Sequence, residues 1–93
     1  MEIQIDPHTL ERAEERGANE AEIKDVVNSG IPIPAKRGRW GKAKVYDFKQ
    51  KRHDKYYDQK RVEVIYTTEK ETIVTVTVYV FYGKWEEQNA NPV

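Results

Sequence analysis

The 93 residues balance 16 basic against 16 acidic side chains, with two histidines and no cysteine. That length holds one domain with a single modest core, and the missing cysteines exclude disulfides, thiolate metal sites and cysteine nucleophiles. Ten aromatic residues and a valine-rich segment argue for a folded chain although 34% of residues are charged, and the longest apolar run, around residues 73–82, is about half a membrane span, so a soluble cytoplasmic protein with no membrane partner is expected.

In chain order, Asp6 before Pro7 reads as an N-cap followed by proline at the first helical position, where φ is already set and no N–H is needed. This first helix ends at Gly17, a left-handed cap. Asn19 opens a second helix with Glu22 three residues on, close to a capping box, and Ile23, Val26 and Val27 form its apolar stripe before Gly30. "IPIPAK" then alternates proline with isoleucine, which suits an extended edge or a connection, since proline cannot donate to a ladder.

"KAKVYDFKQ" has the alternation of a half-buried strand, with Lys44, Tyr46 and Phe48 on one face and the aromatics inward. "RVEVIYTT" and "ETIVTVTVYVFYG" follow as two strands, joined by a tight hairpin at Glu69 and Lys70. The last strand puts Val74, Val76, Val78 and Val80 on one face and Ile73, Thr75, Thr77, Tyr79 and Phe81 on the other. So adhesive a segment is expected in the middle of the sheet. The predicted fold is α+β, one domain over residues 1–83: two short N-terminal helices packed on one face of a three- to four-stranded antiparallel sheet, with a loose tail at 84–93. The other face is expected to be partly open and lined by Thr75, Thr77 and Tyr79.

Two constellations can carry chemistry. At about 100° per residue, Leu10, Ala13 and Gly17 share an arc that faces the sheet, while His8, Arg12 and Arg16 form a second stripe about 60° away. The i, i+4 spacing stacks Arg12 on Arg16 and Glu11 on Glu15, where alternating charge would favour the helix by a few tenths of a kcal/mol per pair. Stability alone does not select that pattern. A purely structural reading, with Arg12 reaching Glu15, stands beside a catalytic one in which the imidazole is a base or acid and the guanidinium groups hold an anion.

The second constellation is the basic centre. Residues 36–61 hold eleven bases against three acids, between flanks that hold three against eight and two against five. Its cations interleave with Trp40, Tyr46, Phe48, Tyr56 and Tyr57, the mixture that neutralises phosphates and stacks on bases. Nucleic-acid contacts are expected from Arg37, Arg39, Trp40, Lys42, Lys44, Lys51 and Arg52; the plainer reading is a solvated hairpin with Tyr46 and Phe48 in the core. Gly38 and Gly41 around Trp40 lack the serine or threonine of a phosphate-binding loop, His53 beside Asp54 reads as a solvated loop, and the single serine, Ser29, excludes a serine triad.

The run "HTLERAEERGANEAEIKDVVNSG" with a final "TIVTVTVY" resembles a small bacterial family of unknown function grouped with RelE-like and BrnT-like toxins. His8, Arg12, Arg16, Gly17, Gly30, Thr77 and Tyr79 stand at the matching positions, and the likeness covers roughly residues 8–82. It implies a helix-helix-sheet fold of the barnase and RelE type, in which many members are ribonucleases. The acidic N-terminal half, and the absence of a C-terminal cluster of bases and tyrosines, depart from ribosome-dependent members.

The function expected from sequence is a metal-independent endoribonuclease, the toxin of a toxin–antitoxin or polymorphic toxin system, with RNA as substrate, an antitoxin as partner and no cofactor. His8, Arg12, Arg16, Thr77 and Tyr79 are its candidate catalytic residues: His8 as base or acid, the two arginines as phosphate clamps, and Thr77 and Tyr79 as hydrogen-bond partners from the open sheet face. The alternatives are a non-catalytic RNA-binding module and a protein-interaction or immunity-type domain.

Overall fold

A computed structural model describes residues 2–85; residues 86–93, most of the expected tail, lie outside the described residues. The elements run β1 (Glu2–Ile5), α1 (Pro7–Arg16), α2 (Glu20–Ser29), β2 (Ile31–Ile33), β3 (Trp40–Arg52), β4 (Lys55–Glu69) and β5 (Thr72–Gly83). They form a five-stranded sheet in the order β1-β5-β4-β3-β2. The α+β class and the two helices agree with the sequence reading. The strand count and the all-antiparallel sheet do not: β1 pairs with β5 in parallel, while the other three pairings are antiparallel. No helix among the described residues is long and apolar enough to cross a membrane.

Both helix starts follow local chemistry. Asp6 Oδ1 accepts the His8 N–H at 2.8 Å, and Asn19 and Glu22 form a reciprocal capping box. α1 packs on β5, and α2 on β4 and β3. Between the layers, Ala13, Ala18, Ile23, Val26 and Val27 meet Val62, Val64, Tyr66, Ile73 and Val78, with Leu10, Ile3 and Ile5 packed against them. Leu10 and Ala13 thus face the sheet, as the helix angles require.

β1 carried only a faint signal. Four residues with isoleucine at alternate positions gain strand character through pairing with Thr72–Thr75, seventy positions away in sequence. β2 is a three-residue edge strand that pairs through Gly41–Ala43 despite Pro32. The middle strand is β4, with β5 one place further out.

β5 departs from the expected alternation. Tyr66 faces Thr75 and Ile65 faces Thr77, so Val76 is an extra residue opposite a continuous β4. This bulge reverses the facing of everything after it. Ile73 and Thr75 point to the helices, and so do Val78 and Val80, whereas Thr77, Tyr79 and Phe81 lie on the far face. Thr75 is therefore buried, at 3% exposure, and does not line the open face. Tyr79 and Phe81 remain 44% and 47% exposed.

The β3–β4 hairpin closes through His53 and Asp54, both at positive φ (52° and 67°), the pair of left-handed residues that a type I′ turn demands. That role accounts for His53 beside Asp54.

Lys60, 9% exposed, projects from β4 into the α1–α2 junction, donating to Gly17 O at 2.7 Å and pairing with Glu22 at 2.8 Å. Replacing it by an apolar side chain of similar length leaves the Gly17 carbonyl without its donor and the Glu22 carboxylate without its counter-ion, with only the Asn19 N–H among the described residues still on it, so Lys60→Met is expected to lower unfolding free energy by about 2–3 kcal/mol in urea titration. Thr75 Oγ1 is buried with no hydrogen-bond partner among the described residues. Thr75→Val accordingly raises stability, by about 1 kcal/mol in the same assay.

Candidate functional site

The end of α1 sets the position of its polar stripe. Three successive carbonyls there receive donors from three strands: Glu15 O from Arg52 Nη2 at 2.9 Å, Arg16 O from Tyr82 Oη at 2.6 Å, and Gly17 O from Lys60 Nζ. Gly17 takes φ 107°, and a Cβ there would collide with Tyr82 Oη, so both backbone angle and close approach require glycine. The Tyr82 ring packs on Phe48 and Tyr57 and lies 4.9 Å from the Arg52 guanidinium. Burial pushes the Tyr82 phenol up, which keeps its hydroxyl a donor.

With its end held, α1 runs along the outer edge of β5. β1 covers that edge only as far as Thr75. Beyond it, Arg16 Nη1 donates to Val78 O at 2.6 Å and caps a strand carbonyl that has no neighbouring strand among the described residues. Among the described residues, four N–H donors remain on that guanidinium. One turn and two turns earlier on the same stripe stand Arg12 and His8, where Arg12 Nε donates to His8 Nε2 at 3.2 Å. His8, Arg12, Arg16, Val76, Thr77 and Val78 line a cleft of about 220 Å³.

Thr77 also borders a second cleft, of about 200 Å³, with Lys36, Arg39, Ile65 and Tyr79. The turn at 36–39 supplies the two cations. Arg39 N–H donates to Lys36 O at 2.9 Å, and Gly38 takes φ 80° at the third position, where a side chain would be strained. Arg16 links the two recesses, since its guanidinium carbon lies 5.9 Å from the Tyr79 ring centroid. Among the described residues, neither cleft is lined by a carboxylate. By contrast, the recess of about 570 Å³ beside β3 and β4 sets Asp47 and Asp58 against Lys49 and Lys84 and offers no field of one sign.

Four of the five candidate catalytic residues, His8, Arg12, Arg16 and Thr77, thus share one cleft, and Tyr79 stands in the adjoining one. The basic centre divides. Arg39 lines the second cleft, Arg37 is exposed in the same turn, Trp40 is 59% exposed at the start of β3, and Lys51 is exposed in the distal hairpin. Lys42, Lys44 and Arg52 have internal partners: Lys42 donates to Val27 O, and Lys44 to Asp25 at 2.8 Å and to Ser29. The sequence reading missed Lys36, whose signal was the glycine two positions on. It also missed the Asp25 cluster, which needs a helix and a strand to meet.

No family model, no curated protein and no solved structure matches the chain.

Hydrogen bonds from Lys44, then Tyr46 and Ser29, hold the Asp25 carboxyl down at about 2, below its usual 3.8. Burial, with Asp25 beside it, pushes the Tyr46 phenol up. A depressed carboxyl contributes stability that is complete above the unfolded value, near 4, and disappears as pH falls through about 2. Between these values the unfolded chain binds more protons, so stability rises with pH. Asp25→Asn should flatten that slope while lowering stability at neutral pH, as urea midpoints at pH 2.5 and 6 will report.

Proposed function

We propose that the cleft between α1 and the β5 edge holds an RNA phosphodiester and that the chain is an endoribonuclease needing no metal ion. The single observation behind this reading is that an imidazole, two guanidinium groups and a threonine, nearly seventy residues apart in sequence, line one recess with no carboxylate among the described residues. A field of one sign attracts a polyanion and stabilises charge that grows on phosphorus.

In this mechanism the ribose 2′-oxygen attacks the adjacent phosphorus, and its proton passes to His8 Nε2. The bond from phosphorus to the 5′-oxygen breaks, and that oxygen takes a proton from water. The products are a 2′,3′-cyclic phosphate and a 5′-hydroxyl. Without substrate, Arg12 occupies the His8 lone pair. A bound phosphate gives Arg12 a charged acceptor, which makes a stronger hydrogen bond than a neutral imidazole, so substrate binding itself frees the base. Arg16 stays anchored on Val78 O while its remaining donors meet the phosphate. In a toxin–antitoxin pair, the antitoxin would silence the protein by covering this cleft.

A second reading, RNA binding without cleavage, draws support from the same Arg12–His8 contact, because no other imidazole lines the cleft. Incubation with total RNA in chelator separates the two. The nuclease reading expects cyclic-phosphate ends from the wild type, none from His8→Ala, and about 100-fold slower cleavage by Arg12→Ala. His8 is exposed, so the thermal midpoint of His8→Ala should match the wild type. Cleavage that survives in His8→Ala removes the mechanism, and salt-sensitive retention of uncut RNA by the wild type selects the binding reading.

A further inference from the structure

Past the bulge, the far face of β5 presents two large aromatic rings to solvent, in the same cross-strand rows as the buried Val45 and Ala43. Tyr79 and Phe81 are close to half exposed, side by side on one strand, with ring centroids 6.4 Å apart and planes 31° from parallel. They lie outside the apolar core between helices and sheet. Their surroundings are cationic. The Arg16 guanidinium approaches Tyr79 from the cleft side, and Lys36 and Arg39 stand across the second recess. The acid opposite Tyr79 on that face, Glu63, is already paired with Arg61 at 2.9 Å.

Exposed aromatic faces ringed by cations complement a polyanion that carries its own flat apolar rings. The ring spacing narrows the choice further. Stacked bases in a duplex strand rise about 3.4 Å each, so neighbouring bases reach rings 6.4 Å apart only after they separate from one another. Paired strands cannot do this without melting.

We infer that Tyr79 and Phe81 form a stacking platform for two consecutive unpaired bases, continuous with the phosphate cleft, so that the RNA taken by this protein is single-stranded. This rests on the phosphodiester reading of the cleft and adds the class of RNA and the direction in which the strand leaves, along β5 from Thr77 towards Phe81. Base stacking is tolerant of sequence, so the platform selects unpaired RNA without selecting its letters.

The test uses the full chain carrying His8→Ala, which keeps RNA uncut, and fluorescence anisotropy with three labelled probes: an eight-nucleotide single-stranded RNA, the same strand in a duplex, and a strand of equal length lacking bases. The platform expects the single strand to bind more tightly than the other two. Adding Tyr79→Ser with Phe81→Ser should weaken single-strand binding at least roughly tenfold and leave the baseless strand unchanged. Tyr79→Phe with Phe81→Tyr, which keeps both rings, should restore it. Equal single-strand affinity with and without the two rings overturns the platform, and loss on Arg12→Ala in the same assay would then leave the cleft reading standing. Loss with the serine pair but none with Arg12→Ala supports the platform and removes the cleft as the phosphate site. Self-association abolished by Phe81→Ser, with no RNA bound, overturns the platform in favour of a second copy of the chain.

Discussion

Everything about the site depends on how the C-terminus of α1 is held. The last carbonyls of a helix have no partner within it, and here Glu15, Arg16 and Gly17 are satisfied by an arginine from β3, a tyrosine from β5 and a lysine from β4. Three donors from three strands fix the rotation of the helix about its axis as well as its position. A ten-residue helix is marginal alone, so this anchorage, with Leu10 and Ala13 against the core, gives it a defined face. The same rotation lays His8, Arg12 and Arg16 along the uncovered part of β5.

The anchorage also gives several cations of the basic centre a partner within the fold. Arg52 and Lys60 serve carbonyls at the end of α1, Lys42 serves one at the end of α2, and Lys44 serves Asp25. The acidic helices and the basic strands, which read as separate charge blocks along the chain, are the two faces of one layered contact. The cations that line the two recesses around Thr77 are Arg12 and Arg16 from α1 and Lys36 and Arg39 from the turn before β3.

One inserted residue in β5 makes the site possible. With regular alternation, Thr75, Thr77 and Tyr79 would share a face. The bulge at Val76 sends Thr75 into the core beside Ile5 and turns Thr77 outward, where it borders both recesses. The buried Thr75 hydroxyl, with no partner among the described residues, is the local cost of that reversal.

What the sequence settled by itself is whatever depends on neighbours a few residues apart. The caps at Asp6 and Asn19, the glycine at position 17, the core stripes of both helices and the shared flank of His8, Arg12 and Arg16 all follow from local backbone chemistry and helical period, whereas the turn before β5 closes at Lys70 and Glu71, one residue later than its sequence signal. Tertiary structure decided the rest. β1 exists because Thr72–Thr75 lie beside it, the phase of β5 reverses because β4 has no residue opposite Val76, and Lys42 and Lys44 of β3 are claimed by Val27 O and by Asp25. Each of these turns on a partner distant in sequence, and the free energy of such contacts appears only once folding has brought the two segments together.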